Sequence, residues 1–218
     1  MSRPLEGKRI AILATDGVEQ VELVDVRKAL DDAGAKTDLV SPKTGSVQAV
    51  RHKEKGDTFP VDVKLSDAKL TDYSALYLPG GVASPDALRM DKQAVQFVRE
   101  FMAADKPVAA ICHGAWLLVE ADAVAGRKLT SWPGLKTDIV NAGGEWVDEA
   151  VTVDGGLITS RKPEDIPVFT RHLLAEFSTQ ITERAVDRMS EQSFPASDPP
   201  PGPASIGGTG ASTTEARP

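Results

Sequence analysis

Cys112 is the only cysteine of the chain and is followed at once by His113, so a thiol and an imidazole stand side by side in Val108-Ala109-Ala110-Ile111-Cys112-His113-Gly114. The chemistry open to such a pair is nucleophilic attack by the thiolate, with the imidazole taking up and returning the proton. The apolar run between Pro107 and Gly114 predicts a central strand, and Ala115 to Val119 reads as the start of a helix. Cys112 is thus expected in a tight strand-to-helix turn, where the first free N–H groups and the positive helix end favour a thiolate. The same residue also suits a buried, inert thiol packing as a small hydrophobe. Three scattered histidines and one cysteine supply no structural-zinc spacing, and neither a metal nor another cofactor is expected.

The elements that must position this turn are legible from periodicity. Residues 8–14 predict a buried strand, residues 18–33 a helix stopped by Gly34, and residues 36–40 a second strand. Residues 46–52 and 60–65 read as a peripheral hairpin or two edge strands, with Arg51-His52-Lys53-Glu54-Lys55 as a solvated loop between them. Residues 75–78 form another buried strand running into Pro79-Gly80-Gly81, and residues 92–104 a helix. Beyond the elbow the pattern predicts a short strand at 129–132, a helix at 135–142 and a hairpin about Asp154-Gly155-Gly156. A final helix spans 163–177, with Pro163 just inside its start. The alternation indicates a mostly parallel sheet covered on both faces. The expected organisation is a core domain at 8–178, an extra helix at 179–194, and a disordered tail at 195–218 rich in Pro, Gly, Ser and Thr.

Composition narrows the function classes. A net charge of -7 argues against a general nucleic-acid surface, and no apolar stretch approaches a membrane span. A lone cysteine forms no internal disulfide, which sets a reducing, cytoplasmic compartment as the expectation.

Three segments fall at the C-terminal ends of predicted parallel strands, the edge where open α/β sheets bind ligands: Asp16-Gly17-Val18-Glu19, Pro79-Gly80-Gly81 and Cys112-His113-Gly114. With Ser84-Pro85-Asp86-Ala87-Leu88-Arg89 and Thr159-Ser160-Arg161 they occur in an order and spacing that resembles the PfpI family of intracellular cysteine hydrolases, within the superfamily of the parkinsonism-associated deglycase. The resemblance implies a flavodoxin-like three-layer α/β sandwich with a mostly parallel central sheet. It also implies that Cys112 is the nucleophile and that Glu19 supplies the carboxyl group beside the sulfur. Glu22, one turn later, fits that place as well, and spacing does not decide between them. Beside a thiolate such a carboxyl must be at least partly protonated or hydrogen-bond the sulfur.

By the same resemblance His113 pairs with an acid from a neighbouring subunit, here Asp86, which implies a homo-oligomer, a dimer or higher. Asp86 also suits a turn or an N-cap before the next helix. Gly80, Gly81 and Gly114 line the expected site, and the main-chain N–H groups of Gly81 and His113 are candidates for an oxyanion site. Trp132 either borders the pocket mouth or packs at an interface, whereas His172 reads as a residue of the terminal helix. The implied activity is hydrolysis or hydration of small reactive carbonyls such as methylglyoxal and glyoxal, or of early glycation adducts. Peptidase or amidase chemistry at the same residues is the alternative, as is a redox-sensing stress chaperone oxidised at Cys112.

Overall fold

A computed structural model describes residues 3–193. The chain opens with β1 (Arg9–Leu13), α1 (Gln20–Asp32) and β2 (Lys36–Ser41). A hairpin of β3 (Ser46–Arg51) and β4 (Glu54–Pro60) leads to a two-residue β5 (Val63–Lys64). Next come β6 (Ala75–Leu78), α2 (Ala83–Arg89), α3 (Lys92–Ala103), β7 (Val108–Ile111) and α4 (Ala115–Glu120). The last third holds β8 (Lys128–Leu129), α5 (Lys136–Asn141), β9 (Glu145–Trp146), the hairpin β10 (Val151–Asp154) and β11 (Leu157–Ser160), and α6 (Ile166–Ser193).

Seven strands form the main sheet in the order β10-β11-β7-β6-β1-β2-β5, and every neighbouring pair is parallel except the β10–β11 hairpin. The alternation of strand side chains divides the core into two layers. Ile10 and Ile12 of β1, with Tyr77 of β6 and Ile111 of β7, pack with Leu23, Leu30, Phe169 and Phe177 of α1 and α6. Ala11 and Leu13, with Leu76, Leu78 and Ala110, pack on the other face with Val98 and Phe101 of α3 and Leu117 of α4. This is the mostly parallel three-layer sandwich expected from the sequence.

The chain runs outward from β1 to β2 and then returns to place β6 on the opposite side of β1. The strand order therefore switches direction between β1 and β6, where the loops after the two strands diverge and open a crevice. The residues following β1, β6 and β7 meet there.

Several boundaries differ from the periodicity. Residues 54–60, expected in part as a solvated loop, form a strand paired to β3, with a bulge between Gln48 and Val50. This strand is exposed or half-exposed throughout, so no apolar alternation marks it. Of the strand expected at 129–132 only Leu129 is in a strand, the two-residue β8, which pairs with β9 in a separate small sheet. Asp86 lies inside the first turn of α2 and not at its N-cap; Pro85 is accommodated because first-turn N–H groups lack helical partners anyway. Helix α6 runs through to Ser193 as one element without a break near 178. The tail expected at 195–218 lies outside the described residues. Among the described residues no helix is long and apolar enough to cross a membrane.

Candidate functional site

Cys112 follows β7 in a single turn of 3-10 helix, Cys112–Gly114, that leads into α4. Its φ of 59° places a non-glycine residue in the left-handed region, a conformation that costs about 1–2 kcal/mol and requires the surroundings to hold it. Those surroundings are close. The Trp132 main-chain N–H donates to the Cys112 carbonyl at 3.2 Å. A Cβ on Gly114 would come within 2.3 Å of the Leu78 carbonyl oxygen, so only glycine lets β6 and the elbow approach this far. A Cβ on Gly80 would stand 2.7 Å from Glu22 Oε2 and 2.8 Å from the Cys112 Cβ, so the acid and the elbow pack directly against its bare backbone.

Gly81 has φ +81° and a Cβ there would meet the Gly17 carbonyl oxygen at 2.3 Å. Gly81→Ala is accordingly expected to lower stability by about 2–3 kcal/mol, read from chemical denaturation midpoints with an unchanged slope. A variant within a few tenths of a kcal/mol of the parent would show that the loop relaxes freely.

The sulfur lies in a cleft of ≈ 340 Å³. Its near partner is His113, whose Nδ1 is 3.3 Å from Sγ. The imidazole stacks on Trp132 at 5.8 Å and 23° and leans on Trp116 at 5.1 Å. Burial pushes its pKa below the ordinary histidine value, which leaves the ring neutral and able to accept a proton.

The carboxyl group beside the sulfur belongs to Glu22. Its side chain is fully buried, Oε2 accepts the Gly80 main-chain N–H at 2.7 Å, and Oε1 has no geometric hydrogen-bond partner among the described residues. Burial raises its pKa to about 8, against the pull of the Gly80 N–H and with a further push from Glu19. Glu22 is thus mostly a neutral acid at pH 7. Glu19 also borders the cleft, but its Oε2 accepts the His52 main-chain N–H at 2.9 Å, tying the β3–β4 hairpin to the start of α1. The two residues are one helical turn apart, but Glu19 is the extended N-cap residue while Glu22 is inside the first turn. That difference, which spacing cannot express, brings Glu22 to the thiol.

Burial also pushes the Cys112 thiol up, and a charged Glu22 would push it further, while the main-chain N–H groups of His113 and Gly81 act at the sulfur in the opposite sense. A protonated Glu22 removes the opposing charge and offers a donor in its place. The two amides at the sulfur are those expected to form the oxyanion site.

Asp86 is exposed on α2 and does not line the cleft of its own chain. Thr159-Ser160-Arg161 acts on the wall: Arg161 holds Asp165 at 2.9 and 3.2 Å and Asp148 at 2.7 Å, fixing the turn whose Pro163 and Glu164 border the cleft. The periodicity missed His52 and Lys53, which the hairpin turn delivers to the cleft, and Val82, exposed at its mouth. No sequence signal marks them, because they reach the site through tertiary docking. Among the described residues no group of three His, Cys, Asp or Glu side chains is arranged to hold a metal.

Comparison with known proteins bears on this arrangement directly. The DJ-1/PfpI family model matches residues 8–176. This chain belongs to the DJ-1/PfpI family. Among DJ-1/PfpI relatives, general stress protein 18 of Bacillus subtilis is 41% identical over 170 residues, covering 78% of this chain and 97% of that protein. A Pyrococcus abyssi protein named a deglycase is 37% identical over 166 residues, 76% of this chain and 97% of its own. A second Bacillus subtilis relative, provisionally named a cysteine protease, is 36% identical over 167 residues, 77% of this chain and 96% of its own. The crystal structure of Drosophila melanogaster DJ-1beta superposes with a TM-score of 0.72 at 25% identity, over 87% of this chain and 98% of that one. The family includes deglycases and proteins named as cysteine proteases, which supports an enzymatic role.

Proposed function

We propose that this chain is a cytoplasmic, Cys112-dependent enzyme that converts small reactive carbonyls, methylglyoxal and glyoxal, or their early adducts with amines, to hydroxy acids. The observation that carries this reading is a buried Glu22, kept neutral by its surroundings, against a lone thiol that opens on a small cleft. In this reading Sγ adds to the aldehyde carbon as the thiol proton passes to His113 Nδ1. The C=O electron pair moves onto oxygen, which the Gly81 and His113 N–H groups receive and Glu22 protonates. Transfer of the C1 hydrogen as a proton to C2 oxidises one carbon and reduces its neighbour, so no external oxidant enters. Water then cleaves the resulting thioester, releasing the hydroxy acid and the thiol. The Pyrococcus relative named a deglycase supports the substrate class.

Peptide or amide cleavage is the second reading, favoured by the 3.3 Å contact between Sγ and His113 Nδ1 and by the relative with a cysteine-protease name. In either reading a homo-oligomer, with Asp86 of one protomer orienting His113 of the next, completes the acid that the single chain does not bring to its own cleft. Lactate formation from methylglyoxal and cleavage of a short peptide, measured side by side on the parent and on protein blocked at its one thiol with iodoacetamide, decide between them. Lactate production that is lost on blocking supports the carbonyl reading. Blocked protein that still forms lactate at the parent rate overturns it, and peptide cleavage alone moves the assignment to the second.

A further inference from the structure

The turn of the β3–β4 hairpin is held over the cleft by a dense set of contacts. Gly17 N–H donates to the Gln48 carbonyl at 2.8 Å, Val50 N–H to the Val18 carbonyl at 2.8 Å, and Asp16 Oδ1 accepts Gln48 N–H at 2.8 Å. Gln20 Oε1 accepts Asp57 N–H at 2.8 Å, and Glu19 takes the His52 N–H at the tip. Asp16, Glu19 and Gln20 therefore spend their side chains on docking this hairpin. The tip itself is in an unfavourable conformation, with His52 at φ 58°. A hairpin fastened this firmly, with a left-handed residue at its end, places Lys53 on the wall of the cleft that holds Cys112.

Lys53 differs in chemistry from everything around it. It is the only lysine or arginine among the described residues lining the cleft. The hairpin's Arg51 is paired with Asp57 at 2.8 Å and the neighbouring Lys43 with Asp16 at 2.5 Å, whereas Lys53 is exposed with no ion pair or hydrogen bond among the described residues. The acids of the same cleft are otherwise disposed: Glu19 accepts the His52 N–H, and Glu22 is buried against the Gly80 N–H. Glu164, exposed on the turn before α6, is the acid on the wall with no docking role of its own in the hairpin. Lys53 is thus the cationic side chain that this cleft, otherwise lined by acids, offers a bound anion.

We propose that Lys53 is a specificity-determining residue that binds an anionic group on the substrate, so that Cys112 acts preferentially on carbonyl compounds bearing a carboxylate or phosphate. The proposal rests on the reading of Cys112 as the reacting thiol, and a matched pair of reagents separates it from the choice of reaction. Iodoacetate and iodoacetamide both alkylate a thiol and differ in one negative charge; Cys112 is the only thiol in the chain. Lys53→Met is expected to slow modification by iodoacetate about fivefold, with iodoacetamide changed less than about twofold, and Lys53→Glu to widen the gap. Glu164→Gln should move the ratio the other way.

The second arm compares phenylglyoxal with 4-carboxyphenylglyoxal as substrates: Lys53→Met should raise KM for the carboxylate alone and leave kcat for both near the parent value. Equal effects of Lys53→Met on both reagents, or none on either, overturn the proposal. If the alkylation ratio shifts while neither glyoxal is turned over, Lys53 keeps its role as an anion contact and the carbonyl-converting reading is what fails.

Discussion

Cys112→Ala is expected to reduce turnover by about a thousandfold or more, to the level of the solvent reaction, while the protein stays folded. The loss follows from the mechanism: the adduct forms on Sγ, and no other thiol exists to take its place. Retention of fold follows from geometry. Cys112 fills little volume, its carbonyl keeps the Trp132 N–H, and the elbow is fixed by the close approach of Gly114 to Leu78 and not by the sulfur. The backbone strain supplies an independent check. At φ 59° an alanine retains the left-handed penalty and a glycine does not, so Cys112→Gly should be about as inactive as Cys112→Ala yet more stable by about 0.5–1 kcal/mol. Urea titrations of the two variants measure that difference. A glycine variant no more stable than the alanine one would mean the turn's strain is absorbed elsewhere, and either variant keeping the parent's lactate production would remove Cys112 from the reaction.

The sheet and its switch point were legible because β1, β6 and β7 are continuous apolar runs, each ending at a glycine-bearing or polar segment, and parallel buried strands leave little else such runs can be. Cys112 and His113 were legible for the same reason, since a strand end fixes where the following residue points. The choice between Glu19 and Glu22 was not. It depends on whether a residue is the last extended one or inside the first helical turn, a boundary that periodicity blurs by about as many residues as separate the two. The hairpin tip was illegible for a deeper reason. His52 and Lys53 belong to a charged, exposed segment whose pairing is decided by Asp16, Glu19 and Gln20 on another element. Nothing within residues 51–55 carries that information.

Glu22→Gln separates the two properties that one buried acid confers. Because the folded pKa of Glu22, about 8, lies above its ordinary value of 4.5, the folded protein holds a proton that the unfolded chain has already lost between those values. Its contribution is fully present below pH 4.5, declines across pH 4.5 to 8, and is lost above 8; over that window the parent should lose on the order of 5 kcal/mol from this group. Glutamine carries no charge at any of these values and can still accept the Gly80 N–H. Glu22→Gln should therefore match the parent near pH 4 and be more stable by a few kcal/mol at pH 9. Activity moves the opposite way. An amide neither gives up nor recovers a proton, so turnover at pH 7 should fall about a hundredfold or more, and the parent's decline in rate above pH 8 should vanish from the variant's profile. Unfolding free energies at four or five pH values, set against rate profiles of the same preparations, test both halves. Parallel stability curves for parent and variant would show that Glu22 is ionised in the folded protein, and with that the neutral donor at the sulfur would be gone.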